Sequence, residues 1–397
     1  MSSIDDRRIV IFRVETLGLL SKHVFTVIQG LDMNKPQAKP KTRHSPVRQF
    51  LRHPLWAPLN QRSAWDRLAT SINPLWSLME ARARVLKIVD EAPGVKSIWL
   101  KPNGRFKGFG PGQHVLLELE INGARHSRCF SFSNALGKDG LIRITIKQKT
   151  DGPVSGAAHA LQIGQIVRLS QAQGEFAPRS NDSQLLLLSA GSGVTPMMSL
   201  LQAMVNENST RDVVIVHCGR TDADVVFANE LQTLATQSSN IRVYLHTTET
   251  NGHVDADLIS QLVPDWNERE TLLCGPDGFM QTIEKMYADA GRSQFLQSES
   301  FGRRAAPIDP DAAEHMITRG DTEQVFTVQA GQNLLDGAEA AGLQPKFGCR
   351  RGICRTCQCL KRSGTVTNVL TGQISGPGEE LIQLCISTPN SALDIVL

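Results

Sequence analysis

The sequence predicts a chain of several modules: an antiparallel β-barrel, then an α/β unit with a parallel sheet, then a small α+β unit. Three observations carry this prediction. From about Ala81 to Ala177 apolar residues recur at every second position, and from about Gln184 to Gly302 short apolar runs alternate with helix-length segments. Five of the eight cysteines then fall in the last fifty residues. With 397 residues, 41% hydrophobic and 20% charged, the chain has an ordinary globular composition and room for about three domains of typical size. The net charge of +3 does not point to nucleic acid, and no run interleaves basic and aromatic residues as a single-strand binder requires.

Taken in order, residues 1–80 read as an extension. Lys35, Lys39, Lys41, Arg43, Arg48, Arg52 and Arg62 occur with no acid between Lys35 and Trp65, among Pro36, Pro40, Pro46, Pro54 and Pro58. Such a stretch is either a solvated connector or a surface that docks an anionic membrane or a partner. Trp56, Trp65 and Trp76 are expected to pack against the next module. The opening MSSIDDRR does not read as a signal peptide.

Residues 81–180 form the expected barrel. Val115, Leu117, Leu119 and Ile121 alternate with the residues between them, Asn122-Gly123 supplies a type I′ hairpin, and Ile142, Ile144 and Ile146 repeat the alternation. Residues 184–302 form the α/β module, with strands expected at Leu185–Leu188, Val213–Val216, Ile241–Leu245, Thr271–Cys274 and Phe295–Glu299. The window Leu185–Val205 has no ionisable side chain, but the GSGVTP in its middle rules out a continuous membrane helix. Residues 303–319 read as a linker. In 320–397, Gln324–Val328 is an expected strand, and NLLDGAEAAG an expected helix with Leu334, Leu335, Ala338 and Ala341 on one face and Gly342 at its end.

Cys349, Cys354 and Cys357 are spaced C-x4-C-x2-C, and Cys385 follows after 27 residues, the arrangement of plant-type 2Fe-2S ligation. Gly348 and Gly352 let a tight loop turn three thiolates inward. The alternatives are reduced structural thiols or a zinc knot, though zinc more usually takes C-x2-C pairs. Cys359 is a spare cysteine in this pattern.

Arg128-Cys129-Phe130-Ser131 follows the hairpin, and Gly152-Pro153-Val154-Ser155 opens a helix. Together they suggest a flavin site, with an arginine for a diphosphate, an aromatic ring for stacking and a helix start for an anion. Gly191-Ser192-Gly193-Val194-Thr195-Pro196 joins the first α/β strand to its helix. Pro196 stands where the third glycine of the ordinary dinucleotide fingerprint would be. Cys274-Gly275-Pro276 ends a later strand, where ligands of such sheets bind.

In this order the motifs resemble the ferredoxin-NADP reductase superfamily with a C-terminal plant-type ferredoxin of β-grasp fold. Within it, Asn73–Ser77 (NPLWS) and the GCRRGIC loop are similar to reductase partners of bacterial acyl-CoA desaturases. The resemblance implies FAD on Arg128, Phe130, Ser131, Gly152, Val154 and Ser155, with Ser131 near flavin N5. It implies a nicotinamide nucleotide on Gly191, Gly193, Thr195 and Pro196, with Cys274 beside the nicotinamide and Glu299 as the catalytic acidic residue at the end of the last strand. It also implies a cluster on Cys349, Cys354, Cys357 and Cys385. Phe130 departs from the family's tyrosine, which loses a hydroxyl to the flavin's sugar chain.

Arg220 follows the second α/β strand and suits a 2′-phosphate, with no acid expected in that turn, so the expected coenzyme is NADPH, with NADH the alternative. Lys346, Arg350, Arg351, Arg355, Lys361 and Arg362 surround the cluster loop without an acid and suggest a rim that docks an acidic acceptor. The expected activity is NAD(P)H-dependent electron transfer through FAD and 2Fe-2S to a fatty-acyl desaturase. The alternatives are a soluble ring-hydroxylating or alkane oxygenase as acceptor, or a redox-sensing module. The expected location is the cytoplasm, with peripheral contact at the inner face of the membrane through the basic N-terminal segment.

Overall fold

The computed structural model describes residues 62–150, 152–180, 183–301, 313–348, 350, 352 and 355–397. The chain divides into compact units Met1–Asn60 and Gln61–Leu397, and the second is the subject here. The basic segment before Arg62, Trp56, residues 303–312 of the expected linker, Arg351, Cys349 and Cys354 lie outside the described residues.

Helix α1 (Arg62–Ile72) comes first. Asp66 turns the chain after it by accepting from the Ser77 hydroxyl at 2.8 Å and the Met79 amide at 3.2 Å. These donors, with the Leu78 amide and Arg82, hold its carboxyl below the usual range against the opposing effect of burial. Trp65 and Trp76 are 46% and 56% exposed, so the packing expected of these two is only partial.

Strands β1 (Ala81–Ala92), β2 (Val95–Pro102), β3 (His114–Ile121), β4 (Ala124–Ser131), β5 (Ile142–Lys147) and β6 (Ile166–Leu169) form one antiparallel sheet in the order β4-β3-β6-β1-β2-β5. A bridge between Phe132 and Ile144 brings its two edges together. The period-two residues Val115, Leu117, Ile142, Ile144 and Ile146 face the barrel core. Asn122 and Gly123 have φ of 53° and 75°, as a type I′ turn demands. Helix α2 (Pro153–His159) covers one end, with Pro153 at its first turn.

In the second module β7 (Leu185–Ala190), α3 (Val194–Asn206), β8 (Val213–Gly219), α4 (Ala228–Gln237), β9 (Ile241–Thr247), α5 (Thr248–Asn251), α6 (Ala256–Leu262), β10 (Glu270–Gly275), α7 (Asp277–Asp289) and β11 (Leu296–Ser300) alternate as the apolar runs predict. All pairings are parallel, in the order β11-β10-β7-β8-β9. The chain starts at β7, winds out through β8 and β9, then returns to β10, which makes the β7/β10 junction the switch point where such sheets bind ligands. The uncharged window 185–205 is β7, a 3-10 turn and α3. No helix among the described residues is long and apolar enough to cross a membrane.

Arg143 on β5 fastens the two modules. Its guanidinium pairs with Glu230 of α4 at 2.8 Å, its Nε donates to the Ser133 carbonyl at 2.9 Å, and Phe227 stacks 4.5 Å from it.

The third module contains β12 (Glu314–Arg319), β13 (Gln324–Gln329), α8 (Leu334–Ala340), β14 (Gln358–Ser363), β15 (Val366–Asn368), β16 (Glu380–Gln383), β17 (Ser387–Pro389) and β18 (Leu393–Val396). Its main sheet runs β13-β12-β18-β14-β16, with β12 and β18 parallel. Strand β12 occupies the end of the stretch read as linker. Polar Thr318 and Arg319 mask its period-two pattern, which is decided by pairing with β13 and β18. Leu334, Leu335 and Ala338 are buried as expected, whereas Ala341 lies past the last turn of α8 and is exposed.

Candidate active site

The two flavin segments meet in one cavity of about 340 Å³, lined by Arg128, Cys129, Phe130 and Ser131 of β4, Gly152–Ser155, Lys147, Lys149, Thr195, Phe301 and Arg350. Strand β4 reaches it because β3 and β4 run to the barrel's mouth in unbroken register, from Ile121↔Ala124 to His114↔Ser131. The α2 start is shaped for close approach: a Cβ at Gly152 would lie 2.5 Å from Ser155 Oγ. Ser155 Oγ in turn accepts from the Lys149 amide at 3.1 Å, which fixes the turn. The donor set fits a flavin nucleotide. Arg128, Lys147 and Lys149 offer three cations for phosphates, Phe130 and Phe301 offer rings, and Ser131 Oγ is buried without a hydrogen-bond partner. FAD would be held by these residues.

The nucleotide loop lies at the switch point. Gly191 has φ of 54°, and Gly193 passes so close to β10 that a Cβ there would sit 2.1 Å from the Cys274 carbonyl oxygen. Thr195 Oγ1 donates to the Ser192 carbonyl at 3.0 Å. Thr195 reaches the flavin cavity, while Gly193 and Pro196 are buried in the turn. Cys274 is fully buried in the apolar cluster that includes Leu187 and Val194.

Glu299 lies apart from the flavin cavity. It lines a larger one, of about 680 Å³, with His114, Gln173, Glu175, Glu284, Arg350 and Cys385. His114 Nδ1 is 3.7 Å from Glu299 Oε1, and the two side chains are 1% and 10% exposed.

Arg220 stands away from both cavities, 77% exposed, with Nε 3.7 Å from Asp224 Oδ2. The expectation of a turn without acids is corrected here: Asp222–Asp224 form the 3-10 turn that follows. The Thr221 hydroxyl donates to Asp224 at 2.8 Å and, with Arg220 and against burial, holds its carboxyl below the usual range.

At the cluster loop, Cys357 and Cys385 bring their sulfurs to 3.3 Å, and the Gly352 amide points at Cys385 Sγ from 3.2 Å. Two thiolates converging under an amide donor fit an iron-sulfur cluster, whose charge such a hydrogen bond stabilises. Among the described residues no three metal-ligating side chains gather, since Cys349 and Cys354 lie outside them. Cys359 is a buried neighbour, its thiol pushed up to about 12 by burial and then by Cys357.

The basic rim is smaller than the sequence suggests. Lys361 is fully buried, with Nζ donating to the Gly376 carbonyl at 2.9 Å and to the Gly378 carbonyl. Arg350 pairs with Glu339 and Asp336 of α8 and stacks 3.7 Å over Phe347. Lys346, Arg355 and Arg362 remain exposed.

Sequence reasoning missed the placement of five residues at these sites. Phe301 follows Glu299 by two positions, and that aromatic spacing was the available signal. Lys147 and Lys149 flank the GPVS turn and read as ordinary surface charges. Arg350 read as part of the docking rim, and His114 gave no signal, because Glu299 comes from another module.

Residues 96–177 match the oxidoreductase FAD-binding domain, 187–285 the oxidoreductase NAD-binding domain and 317–389 the 2Fe-2S iron-sulfur cluster binding domain. The chain is 34% identical over 371 residues to an NADPH oxidoreductase of Mycobacterium tuberculosis, covering 89% of this chain and 96% of that one. It is 31% identical over 339 residues to the ferredoxin reductase component of 3-ketosteroid-9-alpha-monooxygenase from the same species, covering 78% and 93%. A glycine betaine monooxygenase reductase subunit of Chromohalobacter salexigens is 28% identical over 353 residues, covering 81% and 96%. In fold, phthalate dioxygenase reductase superposes over 80% of this chain and 98% of its own, with a TM-score of 0.56 at 20% identity.

Proposed function

Because the chain belongs to the ferredoxin-NADP reductase-like flavoproteins that join FAD-binding, NAD-binding and C-terminal 2Fe-2S modules, we propose that it draws hydride from NADPH and passes single electrons to an oxygenase component. The observation that carries this reading is the flavin cavity itself. Its wall takes Ser131 from the barrel, Thr195 and Phe301 from the nucleotide module and Arg350 from the cluster loop. The wall thus draws on all three modules. When bound, FAD supplies the exchange between a two-electron hydride and one-electron transfers.

The chain's own residues orient the reactants. Arg128, Lys147 and Lys149 would neutralise the diphosphate, Ser131 would offer a hydroxyl to the ring, and Phe301 would shield it from water. Cys349, Cys354, Cys357 and Cys385 would hold the cluster. Two monooxygenase reductase components among the relatives support an oxygenase as acceptor.

A second acceptor, a membrane fatty-acyl desaturase, is favoured by a different observation. Trp65, Leu68 and Ile72 lie at i, i+3 and i+7 on α1, 46%, 53% and 68% exposed, directly after the basic, proline-rich segment. An apolar stripe that follows a lysine- and arginine-rich segment in the sequence suits peripheral contact with an anionic bilayer from the cytoplasmic side.

The coenzyme reading rests on Arg220 and on the relative named as an NADPH oxidoreductase. Arg220→Ala is expected to lower kcat/KM for NADPH about tenfold and leave NADH unchanged, the loss of one charge-assisted contact. An unchanged NADPH preference would remove Arg220 from the argument.

The test of the whole reading uses the FAD- and cluster-loaded protein with NADPH. Ferricyanide and cytochrome c should both be reduced, and Cys357→Ser should lose the second while keeping the first. If NADPH is not oxidised with either acceptor, the redox-sensing reading takes over. Adding an oxygenase component or desaturase-containing membranes then separates the two acceptors by product.

A further inference from the structure

We propose that Phe347 is a latch through which bound FAD fixes the cluster module on the barrel. This rests on the reading that FAD occupies the cavity lined by Arg128 and Ser131. The flavin cavity and the cluster loop belong to different modules, so electrons cross between them only while the two are held together. An aromatic ring stands in that contact.

Phe347 packs against the core of its own module and offers its ring to two guanidiniums, Arg350 at 3.7 Å from the centroid and Arg128 at 5.5 Å. The contact with Arg350 is internal to the cluster module. Arg350 Nη1 donates to Glu339 at 2.6 Å and lies 3.6 Å from Asp336, and both carboxylates come from α8. These contacts hold Arg350 at a φ of 58°, in the left-handed region that residues other than glycine rarely adopt. The contact with Arg128 crosses between modules. Arg128 comes from β4 of the barrel, lines the flavin cavity, donates to the Ser127 carbonyl at 2.8 Å and reaches the Gly348 carbonyl at 3.5 Å. Phe347 itself stays out of the wall of that cavity.

Bound FAD strengthens the crossing contact in two ways. A diphosphate on Arg128 orders a side chain rich in rotamers, so the cluster module docks on a guanidinium that is already fixed. A filled cavity also takes water from that guanidinium, and a cation over an aromatic face is held more tightly once desolvated. Such coupling is reciprocal: the factor by which FAD favours docking is the factor by which the docked ring favours FAD. Phe347 is therefore a positioning residue that acts on the flavin through Arg128. The consequence is ordered assembly, with the cluster set for transfer only where a flavin is present to feed it.

The experiment titrates FAD into the full chain, stripped of flavin but holding its cluster, and reads binding from flavin fluorescence. Arg128→Ala checks the underlying reading separately, which requires binding at least about tenfold weaker; native affinity in that variant would remove FAD from this cavity. Phe347→Leu keeps the apolar packing and removes the ring face, and its Kd for FAD should rise about fivefold, whereas Phe347→Tyr, which keeps the face, should stay within about twofold of native. By reciprocity, FAD should slow the removal of cluster iron by a ferrous chelator about fivefold in the native protein and not in Phe347→Leu. Native FAD affinity in Phe347→Leu, or equal weakening in Phe347→Leu and Phe347→Tyr, would overturn the proposal. Should Phe347→Leu not assemble its cluster, the native protein decides: iron removal at the same rate with and without FAD sinks the idea.

Discussion

His217 on β8 is fully buried, with Nδ1 3.0 Å from Ser189 Oγ, and burial pushes its pKa down to about 4 against a weaker opposing bond to the Ser189 carbonyl. The unfolded chain takes up this proton near pH 6.5 and the folded chain only near 4, so the unfolded state binds more protons across that window. Stability is therefore full above pH 6.5 and falls as pH drops through it, by about 3 kcal/mol from this group at pH 4. Denaturant titrations from pH 7 to 4 should show that loss, and His217→Gln should flatten it. At the same scale the sequence was informative where chemistry is carried by type and spacing. Cys357 and Cys385 meet as their spacing implied, and Arg128, Phe130 and Ser131 line one cavity. It misled where a charge acquired buried partners: Lys361 reads as part of a docking rim but ties down the Gly376–Gly378 turn. Lys361→Met is expected to destabilise the cluster module by about 2 kcal/mol, through two orphaned carbonyls. It should leave the salt dependence of acceptor turnover unchanged.

At the scale of elements, the nucleotide loop is set by its approach to β10. Gly193→Ala would drive a methyl into the Cys274 carbonyl, so the loop must withdraw. The expected outcome is a KM for NADPH raised at least about tenfold with the flavin absorbance intact, since positioning errors near 1 Å cost about that much or more. A variant with native KM would show that the loop binds nothing. The alternating strands and helices of this module were legible because β7, β8 and β10 are buried on both faces and read as continuous apolar runs. Strand β12 was not, because its outward residues are polar and its partners lie elsewhere in the chain.

For the molecule as a whole, two of the contacts that join the modules carry predictions. Arg143 ties the barrel to α4, and Arg143→Ala should cost about 2 kcal/mol, the value of a buried pair discounted because Glu230 keeps contact with solvent. Thermal unfolding would register it. Arg128, whose Nη1 approaches the Gly348 carbonyl at 3.5 Å, and Arg350 both lie over the Phe347 ring, at 5.5 and 3.7 Å. This stack sets the cluster loop against the flavin cavity. Arg350→Ala should accordingly slow flavin-to-cluster transfer several-fold in stopped flow and spare hydride transfer, and equal slowing of both would contradict that role. The sequence by itself determined the modules and their order, and it implied the 2Fe-2S cluster. Each of these follows from periodicity or from ligand spacing within a short stretch, which the chain enforces locally. Tertiary structure decided the rest: His114 beside Glu299, Arg143 beside Glu230, Arg350 between two cavities and Lys361 inside. These contacts join residues far apart in the chain, where no local pattern records the partner and only the packing of one module on another brings charge to charge.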